Sequence, residues 1–243
     1  GKTIELQNRV AVITGGSGGI GMAMARAFLE QGARGIVLAD LNEDAVKAAA
    51  SELGCLGMAC DVTDEAQVIS LTEYALAQFD QVDLFCSNAG GGGEGVLTDA
   101  SNDVWQHQWE LHLMAHVYAA RAVLPSMLER GEGYLLNTAS AAGLLAALGS
   151  GPYTVTKAAA VKFAEFVSIT HGDEGIRSSV LCPQGVNTAM APRSIGDGQT
   201  DGIIEPEDLA QTVVETIREE RFYVLPHPEV EEYVRRKGDN IDR

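Results

Sequence analysis

Short apolar runs alternate with longer amphipathic stretches along most of the chain. Runs such as "VAVIT" and "GIVLA" are apolar at every position, as is typical of strands buried on both faces of a sheet. Stretches such as "NEDAVKAAASEL" and "DEAQVISLTEYALAQF" place apolar residues at helical spacing. Because strands that alternate with helices need crossover connections, the pattern predicts a parallel sheet. We expect one doubly wound α/β domain over residues 1–243, with about seven strands and helices on both faces.

Three segments stand apart from this alternation. A long helix is predicted over residues 102–130, with Pro125 near its end. Residues 189–204 are rich in Gly, Asp and Ser, so we expect a mobile flap over the substrate there. The charged tail after Pro228 is predicted to be a surface helix or a frayed end.

Charge and composition exclude several classes of function. The formal net charge is −17, which repels phosphate backbones and anionic membrane surfaces, so we expect neither nucleic acid nor a membrane as partner. No apolar run reaches the roughly 18 residues of a membrane span. The four cysteines lack paired spacing, and neither they nor the five histidines suggest metal ligands. We therefore expect a reduced cytoplasmic protein without a metal.

A glycine-rich turn follows the first predicted strand. In "TGGSGGIG", Thr14, Gly15, Gly19 and Gly21 lie between a strand and a helix. Glycines there let a backbone approach a pyrophosphate, and the helix N-terminus supplies N–H donors. Tight turns also collect glycine, so this motif alone leaves a structural role open.

Asp40 ends the second predicted strand, where an acidic side chain accepts hydrogen bonds from an adenosine ribose. It would repel a 2′-phosphate, and the next residue, Leu41, supplies no positive charge. We therefore expect NAD rather than NADP as the cofactor. The alternative is that Asp40 caps the following helix, although Asn42 is equally placed to do so.

Tyr153 and Lys157 lie four residues apart, just after Pro152. Such a pair shares one face of a helix, and proline suits a first helical position. On spacing alone, the pair is a helix turn or a reacting pair.

Together and in this order, "TGGSGGIG", "CDVT", "SNAG", Ser140 and "YTVTK" resemble the short-chain dehydrogenase/reductase family. The resemblance runs from Val10 to about Thr188 and implies a Rossmann-type fold. It implies that Tyr153 is the general acid/base, that Lys157 lowers the pKa of Tyr153 and binds the nicotinamide ribose, and that Ser140 holds the substrate oxygen. The cofactor-binding residues implied by motif and position are Thr14, Gly15, Ser17, Gly19, Ile20, Gly21, Asp40, Leu41, Asp61, Val62, Asn88, Ala89, Gly90, Tyr153, Lys157, Pro183, Val186 and Thr188.

Two positions depart from the family pattern. His112 lies where the family has an Asn that fixes a water in a proton relay, so His112 is either a catalytic substitute or a packed core histidine. An imidazole titrates near pH 6.5, so a relay role predicts an acid-side limb in the rate profile. Gln184 follows Pro183 where the family has Gly, and would be strained if that backbone required a positive φ.

The resulting prediction is an oxidoreductase that moves hydride between NAD(H) and a small to medium, mainly uncharged secondary alcohol or ketone. The alternative is an NAD-binding regulatory protein with weak or lost catalysis. By family position, the substrate would meet Ala141, Ala142, Leu144, Leu145, Leu148 and Met190. The resemblance also implies a homotetramer built on the long helices, with Val117, Tyr118, Phe163 and Phe166 as candidate contacts.

Overall fold

The computed structural model describes residues 5–92, 95–189 and 201–242. Seven parallel strands form one sheet in the order β3-β2-β1-β4-β5-β6-β7. The strands are β1 (Val10–Thr14), β2 (Gly35–Asp40), β3 (Leu56–Ala59), β4 (Leu84–Ser87), β5 (Gly133–Thr138), β6 (Ile176–Leu181) and β7 (Tyr223–Val224).

Helices follow the strands as the alternation predicted. Those described are α1 (Gly19–Glu30), α2 (Glu43–Leu53), α3 (Glu65–Phe79), α4 (Asn102–Trp109), α5 (Ala115–Arg130), α6 (Gly151–His171), α7 (Pro206–Glu219) and α8 (Glu229–Asp239). The charged tail after Pro228 is thus a helix, one of the two predicted alternatives.

Alternate strand residues face opposite layers of helices, which explains why the strands are apolar throughout. Ile13 and Leu38 pack with α1, α2 and α7, whereas Val12, Val37 and Phe85 pack with α3 and α5. The predicted doubly wound parallel sheet is confirmed. β3 and β7 are shorter than their apolar runs suggested, since β3 ends at Ala59 and β7 has 2 residues.

The predicted helix over residues 102–130 is not regular. A π-helical segment, Glu110–Met114, separates α4 from α5, although Pro125 is accommodated inside α5. A π turn adds a residue to the helical repeat and is found mostly at functional sites. Here it contains His112.

The sheet order reverses between β1 and β4. β1 pairs with both strands, while the chain runs outward from β1 to β2 and β3 before it returns to β4. Ligands of open α/β sheets bind beyond the carboxyl ends of strands at such a switch point. That edge carries the chemistry predicted from the sequence.

Candidate active site

The turn after β1 is packed too closely for side chains at two of its glycines. Gly15 has φ +64°, and a Cβ on Gly21 would lie 2.3 Å from the Gly15 carbonyl oxygen. The N-cap of α1 is Gly18, which provides no side-chain hydrogen bond to the first amides of the helix. A tight turn and uncapped N–H groups at a helix N-terminus fit a pyrophosphate.

Asp40 faces this turn and does not cap a helix. Its carboxylate accepts hydrogen bonds from the backbone N–H and the hydroxyl of Ser17 and from the N–H of Leu41. The capping role belongs to Asn42, whose side chain accepts from the Ala45 N–H at 2.9 Å. The capping alternative for Asp40 is therefore wrong.

The basic residues of the two adjacent helices are engaged elsewhere. Arg26 of α1 pairs with Glu52, and Lys47 of α2 pairs with Glu43. No basic side chain of α1 or α2 therefore pairs with the carboxylate of Asp40 beside the glycine turn.

Thr14 ties the loops after β1 and β4 together. Its hydroxyl oxygen accepts from the N–H of Asn88 at 2.9 Å and of Ala89 at 3.2 Å. The Asn88 side chain in turn accepts from Thr138 at the end of β5. Three strand ends are thereby fixed around the "SNAG" loop.

Other predicted cofactor residues border the same edge. Asp61 lies two residues after β3 and accepts hydrogen bonds from both the N–H and the hydroxyl of Thr63, while Val62 is buried. Thr188 lies against the start of α1, because a Cβ on Gly19 would be 2.8 Å from its methyl carbon. Val186, two residues before Thr188, forms a parallel bridge with Ile204.

Ser140, Tyr153 and Lys157 come together beyond β5. Ser140 is buried, and its hydroxyl accepts from the Ala142 N–H at 3.1 Å and lies within hydrogen-bonding reach of Tyr153. α6 begins at Gly151 with Pro152 in its first turn, as predicted. Nζ of Lys157 lies 5.5 Å from the centroid of the Tyr153 ring.

Without a bound cofactor, burial is the main cause of the pKa shifts of Tyr153 and Lys157. Burial raises the pKa of Tyr153 above its usual value, and the hydrogen bond with Ser140 opposes that rise. Burial lowers the pKa of Lys157 to about 8. In the protein without a cofactor, the pKa of the Tyr153 phenol is thus raised, not lowered by Lys157 as expected.

The ammonium group of Lys157 forms no hydrogen bond or ion pair with any described residue. A Cβ built on Gly90 would lie 3.6 Å from its Nζ and 3.9 Å from Nε2 of His112. The loop that ends in Gly90 and Gly91 thus faces both side chains. A buried cation with donors to spare fits the ribose-binding role implied by the family.

His112 is buried within this cluster and hydrogen-bonded at both ring nitrogens. The Thr156 hydroxyl donates to the Pro152 carbonyl at 2.8 Å, so it accepts from Nδ1–H of His112 at 3.0 Å. Nε2 accepts from the Gly91 N–H at 3.4 Å. The His112 ring meets the Tyr153 ring edge-on, with centroids 5.4 Å apart. This geometry specifies a neutral imidazole with its proton on Nδ1.

Burial and the nearby Lys157 ammonium lower the pKa of His112 to about 2. His112 therefore does not titrate near pH 6.5, and the acid-side limb expected there would not arise from this residue. His116, one turn further on, is a packed histidine bonded to Ser87 at 2.7 Å, and burial lowers its pKa to about 3. Neither imidazole carries charge at neutral pH.

Gln184 is not strained, because its φ is not positive. The backbone strain that a positive φ would have caused at Gln184 is therefore absent. Its backbone N–H donates to Nδ1 of His227 at 3.1 Å, and its side-chain amide donates to Asp201 at 2.9 Å. Neither His227 nor Asp201 was identified as a partner of Gln184 from the sequence, because Asp201 falls within the predicted flap and His227 lies far from any motif.

Two loops beside Tyr153 carry exposed apolar side chains. Gly95 pairs with Ser150, which brings the loops before α4 and α6 together. Leu97 is 76% exposed and Leu148 is 81% exposed, while Ala141 of the predicted pocket is buried. Met190 and most of the predicted flap lie outside the described residues. The surroundings of the cluster are thus mainly apolar on the sides that the structure describes.

Two other kinds of site are not found in the described ranges. No helix there is long and apolar enough to cross a bilayer. No group of three or more histidine, cysteine or acidic residues there is arranged to hold a metal ion.

The chain is similar to known proteins both in sequence and in fold. The family model for short chain dehydrogenase matches residues 9–197. A 1-deoxy-11-beta-hydroxypentalenate dehydrogenase of Streptomyces exfoliatus is 34% identical, covering 99% of this chain and 90% of its own length. A 3beta-hydroxysteroid dehydrogenase of Eggerthella lenta is 35% identical over 75% of this chain and 73% of its own length. A short-chain dehydrogenase/reductase of Burkholderia phymatum, solved with NAD, superposes with a TM-score of 0.89 at 31% identity, over 98% of this chain and 96% of that one.

Proposed function

The chain belongs to the short-chain dehydrogenase/reductase family, and on that premise we propose that it transfers hydride between NAD(H) and a secondary alcohol or ketone. The observation that carries this proposal is the cluster of Ser140, Tyr153 and Lys157 at the carboxyl edge of the sheet, next to the glycine turn. A regulatory protein with lost catalysis would have no need to keep a buried lysine beside a buried phenol, since burying a charge costs stability.

The proposed roles follow from the chemistry of each side chain. When bound, the nicotinamide supplies or accepts the hydride. The Ser140 hydroxyl orients the substrate oxygen toward the Tyr153 phenol, which gives a proton to a ketone or takes one from an alcohol. The Lys157 ammonium, with a pKa of about 8, is mostly charged at neutral pH, so its free N–H groups would donate to the hydroxyls of the nicotinamide ribose when the cofactor is bound.

We propose that His112 positions this cluster and does not exchange protons. Its bonds to Thr156 and Gly91 join α6, which carries Tyr153 and Lys157, to the loop that ends the "SNAG" motif. The edge-on contact fixes the plane of the Tyr153 ring. A neutral imidazole beside an ammonium performs this role without repulsion.

We propose NAD(H) as the preferred cofactor, on the grounds of Asp40. Its carboxylate faces the glycine turn, and the basic residues of α1 and α2 are paired elsewhere. The 31% identical relative solved with NAD supports the same choice.

The proposal is tested by kcat/KM with both cofactors and a panel of secondary alcohols. We expect NAD to be preferred, and Asp40→Ser to narrow that preference because the repulsion of a 2′-phosphate is removed. Glu73→Gln on α3, which removes an exposed carboxylate that pairs with no described basic side chain, is the control and should leave the preference unchanged. Equal efficiency with NAD and NADP in the parent protein would end the cofactor proposal.

For the substrate, we propose a small to medium, mainly apolar secondary alcohol. The buried Ala141 and the exposed Leu97 and Leu148 leave apolar surface beside the reacting phenol. The hydroxypentalenate and hydroxysteroid dehydrogenases among the relatives are named for hydroxyl-bearing substrates. The panel should therefore include alicyclic alcohols of increasing size, and no turnover of any member would favour the regulatory alternative.

We also propose a cytoplasmic location. All four cysteines are free, and Cys60, Cys86 and Cys182 are buried among apolar residues, as is typical of proteins kept in a reducing compartment.

A further inference from the structure

Asp201 links the loop that carries Gln184 to the C-terminal helix α8. Nε2 of Gln184 donates to one carboxylate oxygen of Asp201 at 2.9 Å, and the Tyr233 hydroxyl donates to the other at 2.7 Å. The carboxylate therefore bridges the end of β6 and α8. Hydrogen bonds to an ionised acceptor are about twice as strong as neutral ones.

The backbone of Gln184 is anchored separately from its side chain. Its N–H donates to Nδ1 of His227, which is 1% exposed. A glycine at position 184 would keep this backbone bond and lose the bridge to Asp201. The amide side chain thus adds a contact that the family's usual residue lacks.

This bridge lies next to the reacting group. The carbonyl of Pro183, the residue before Gln184, accepts from the Ser140 hydroxyl at 3.5 Å and from the Ala141 N–H at 3.0 Å. Lys237 of α8 donates to the Leu144 carbonyl at 3.0 Å. α8 therefore contacts the loop that follows Ser140 directly, and it is joined to the Pro183–Gln184 segment through Asp201.

Stability alone does not account for the choice of glutamine. The side-chain oxygen of Gln184 is buried and has no hydrogen-bond partner among the described residues. A buried polar atom without a partner costs stability, so the amide is better explained by where it holds Asp201 and α8.

We propose that Gln184 is a positioning residue for the substrate, which fixes Asp201 and α8 as one wall of the substrate cleft. The inference rests on the proposed function, because it assigns that wall to the alcohol or ketone bound beside Ser140. The glycine turn, Asp40 and Lys157, which are the main cofactor contacts in the proposed function, form no hydrogen bond with the described atoms of Gln184, Asp201 or Tyr233.

The test first makes the pair at positions 184 and 201 repulsive and then restores their hydrogen bond with donor and acceptor exchanged. Gln184→Glu places two carboxylates against each other, whereas the double variant Gln184→Glu/Asp201→Asn restores one amide-to-carboxylate bond and leaves an oxygen for Tyr233. We expect Gln184→Glu to raise KM for the best alcohol about tenfold, with kcat and the Kd for NADH unchanged, since a hydrogen bond to a charged group is worth at least that factor. The double variant should return KM close to that of the parent.

Two matched variants separate the bridge from general effects. Tyr233→Phe removes one donor to Asp201 and should raise KM, whereas Tyr74→Phe on α3, whose hydroxyl bonds to no described residue, should not. If KM is indifferent to Gln184→Glu in an active parent, or the double variant fails to recover, the inference alone is overturned. If the parent turns over no alcohol, the proposed function is overturned and this inference with it.

Discussion

His112 shows how burial and a neighbouring charge change the protonation of a side chain. In water an imidazole titrates near pH 6.5, but burial and the adjacent Lys157 lower the pKa of His112 to about 2. For a histidine, a lowered folded-state pKa means that the neutral form persists as the pH falls from the unfolded value toward the folded one. Above about pH 4, the protein therefore keeps the neutral His112.

The rate profile should accordingly lack an acid-side limb from His112. Between pH 5 and 8, the parent and His112→Asn should show profiles of the same shape, with His112→Asn slower because it cannot span from Thr156 to Gly91. His116→Asn, one turn away and bonded to Ser87, controls for the loss of a buried imidazole. A limb with a midpoint near pH 6.5 that disappears in His112→Asn would restore the proton-relay hypothesis.

The placement of Tyr153 and Lys157 one helical turn apart was predictable from the sequence because it is local. One helical turn sets their separation, and Pro152 sets the start of α6. The direction of the Tyr153 pKa shift was not predictable, because it depends on how deeply the phenol is buried by residues from other elements.

At the scale of elements, the alternation of apolar runs and amphipathic stretches predicts the helices and strands to within a few residues. The π segment Glu110–Met114 escaped prediction because a single inserted residue has no sequence motif of its own. It is visible only in the hydrogen bonds between successive turns. The Gln184 bridge escaped for a different reason, since its partners come from two distant segments.

The glycine turn is an element whose sequence requirement is steric. A Cβ on Gly21 would lie 2.3 Å from the Gly15 carbonyl oxygen, whereas one on Gly18 would lie 3.4 Å from the same oxygen, an ordinary contact. Gly21→Ala should therefore destabilise the cofactor-free protein by about 1–3 kcal/mol, while Gly18→Ala should not. Thermal melts of the two variants beside the parent measure this, and equal melting temperatures would show that the turn relaxes freely.

For the whole molecule, the structure corrects which apolar side chains are available for assembly. Tyr118 and Phe163 pack against the core, whereas Phe166 is 60% exposed and Ile169 is 77% exposed on α6. Exposed apolar residues on one helix face suit an interface between copies of the chain.

We predict a homotetramer that uses this face of α6. Sedimentation at micromolar concentration should give four times the chain mass of 25.7 kDa. Phe166→Glu/Ile169→Glu should dissociate it, because charges are depleted from interface cores. The matched pair Ile69→Glu/Leu41→Glu, also exposed but away from α6, should leave it intact. A monomeric parent would contradict the prediction.

The central claim is that the Tyr153 phenol exchanges a proton with the substrate, and Tyr153→Phe tests it most directly. The substitution keeps the ring and its contact with His112, and leaves the glycine turn, Asp40 and Lys157 to hold the cofactor. We predict that kcat falls by about two to four orders of magnitude while the Kd for NADH, measured by fluorescence, and the melting temperature stay close to those of the parent. A variant that retained most of the parent's kcat would contradict the account, and Tyr153 and Lys157 would then be only one turn of a helix.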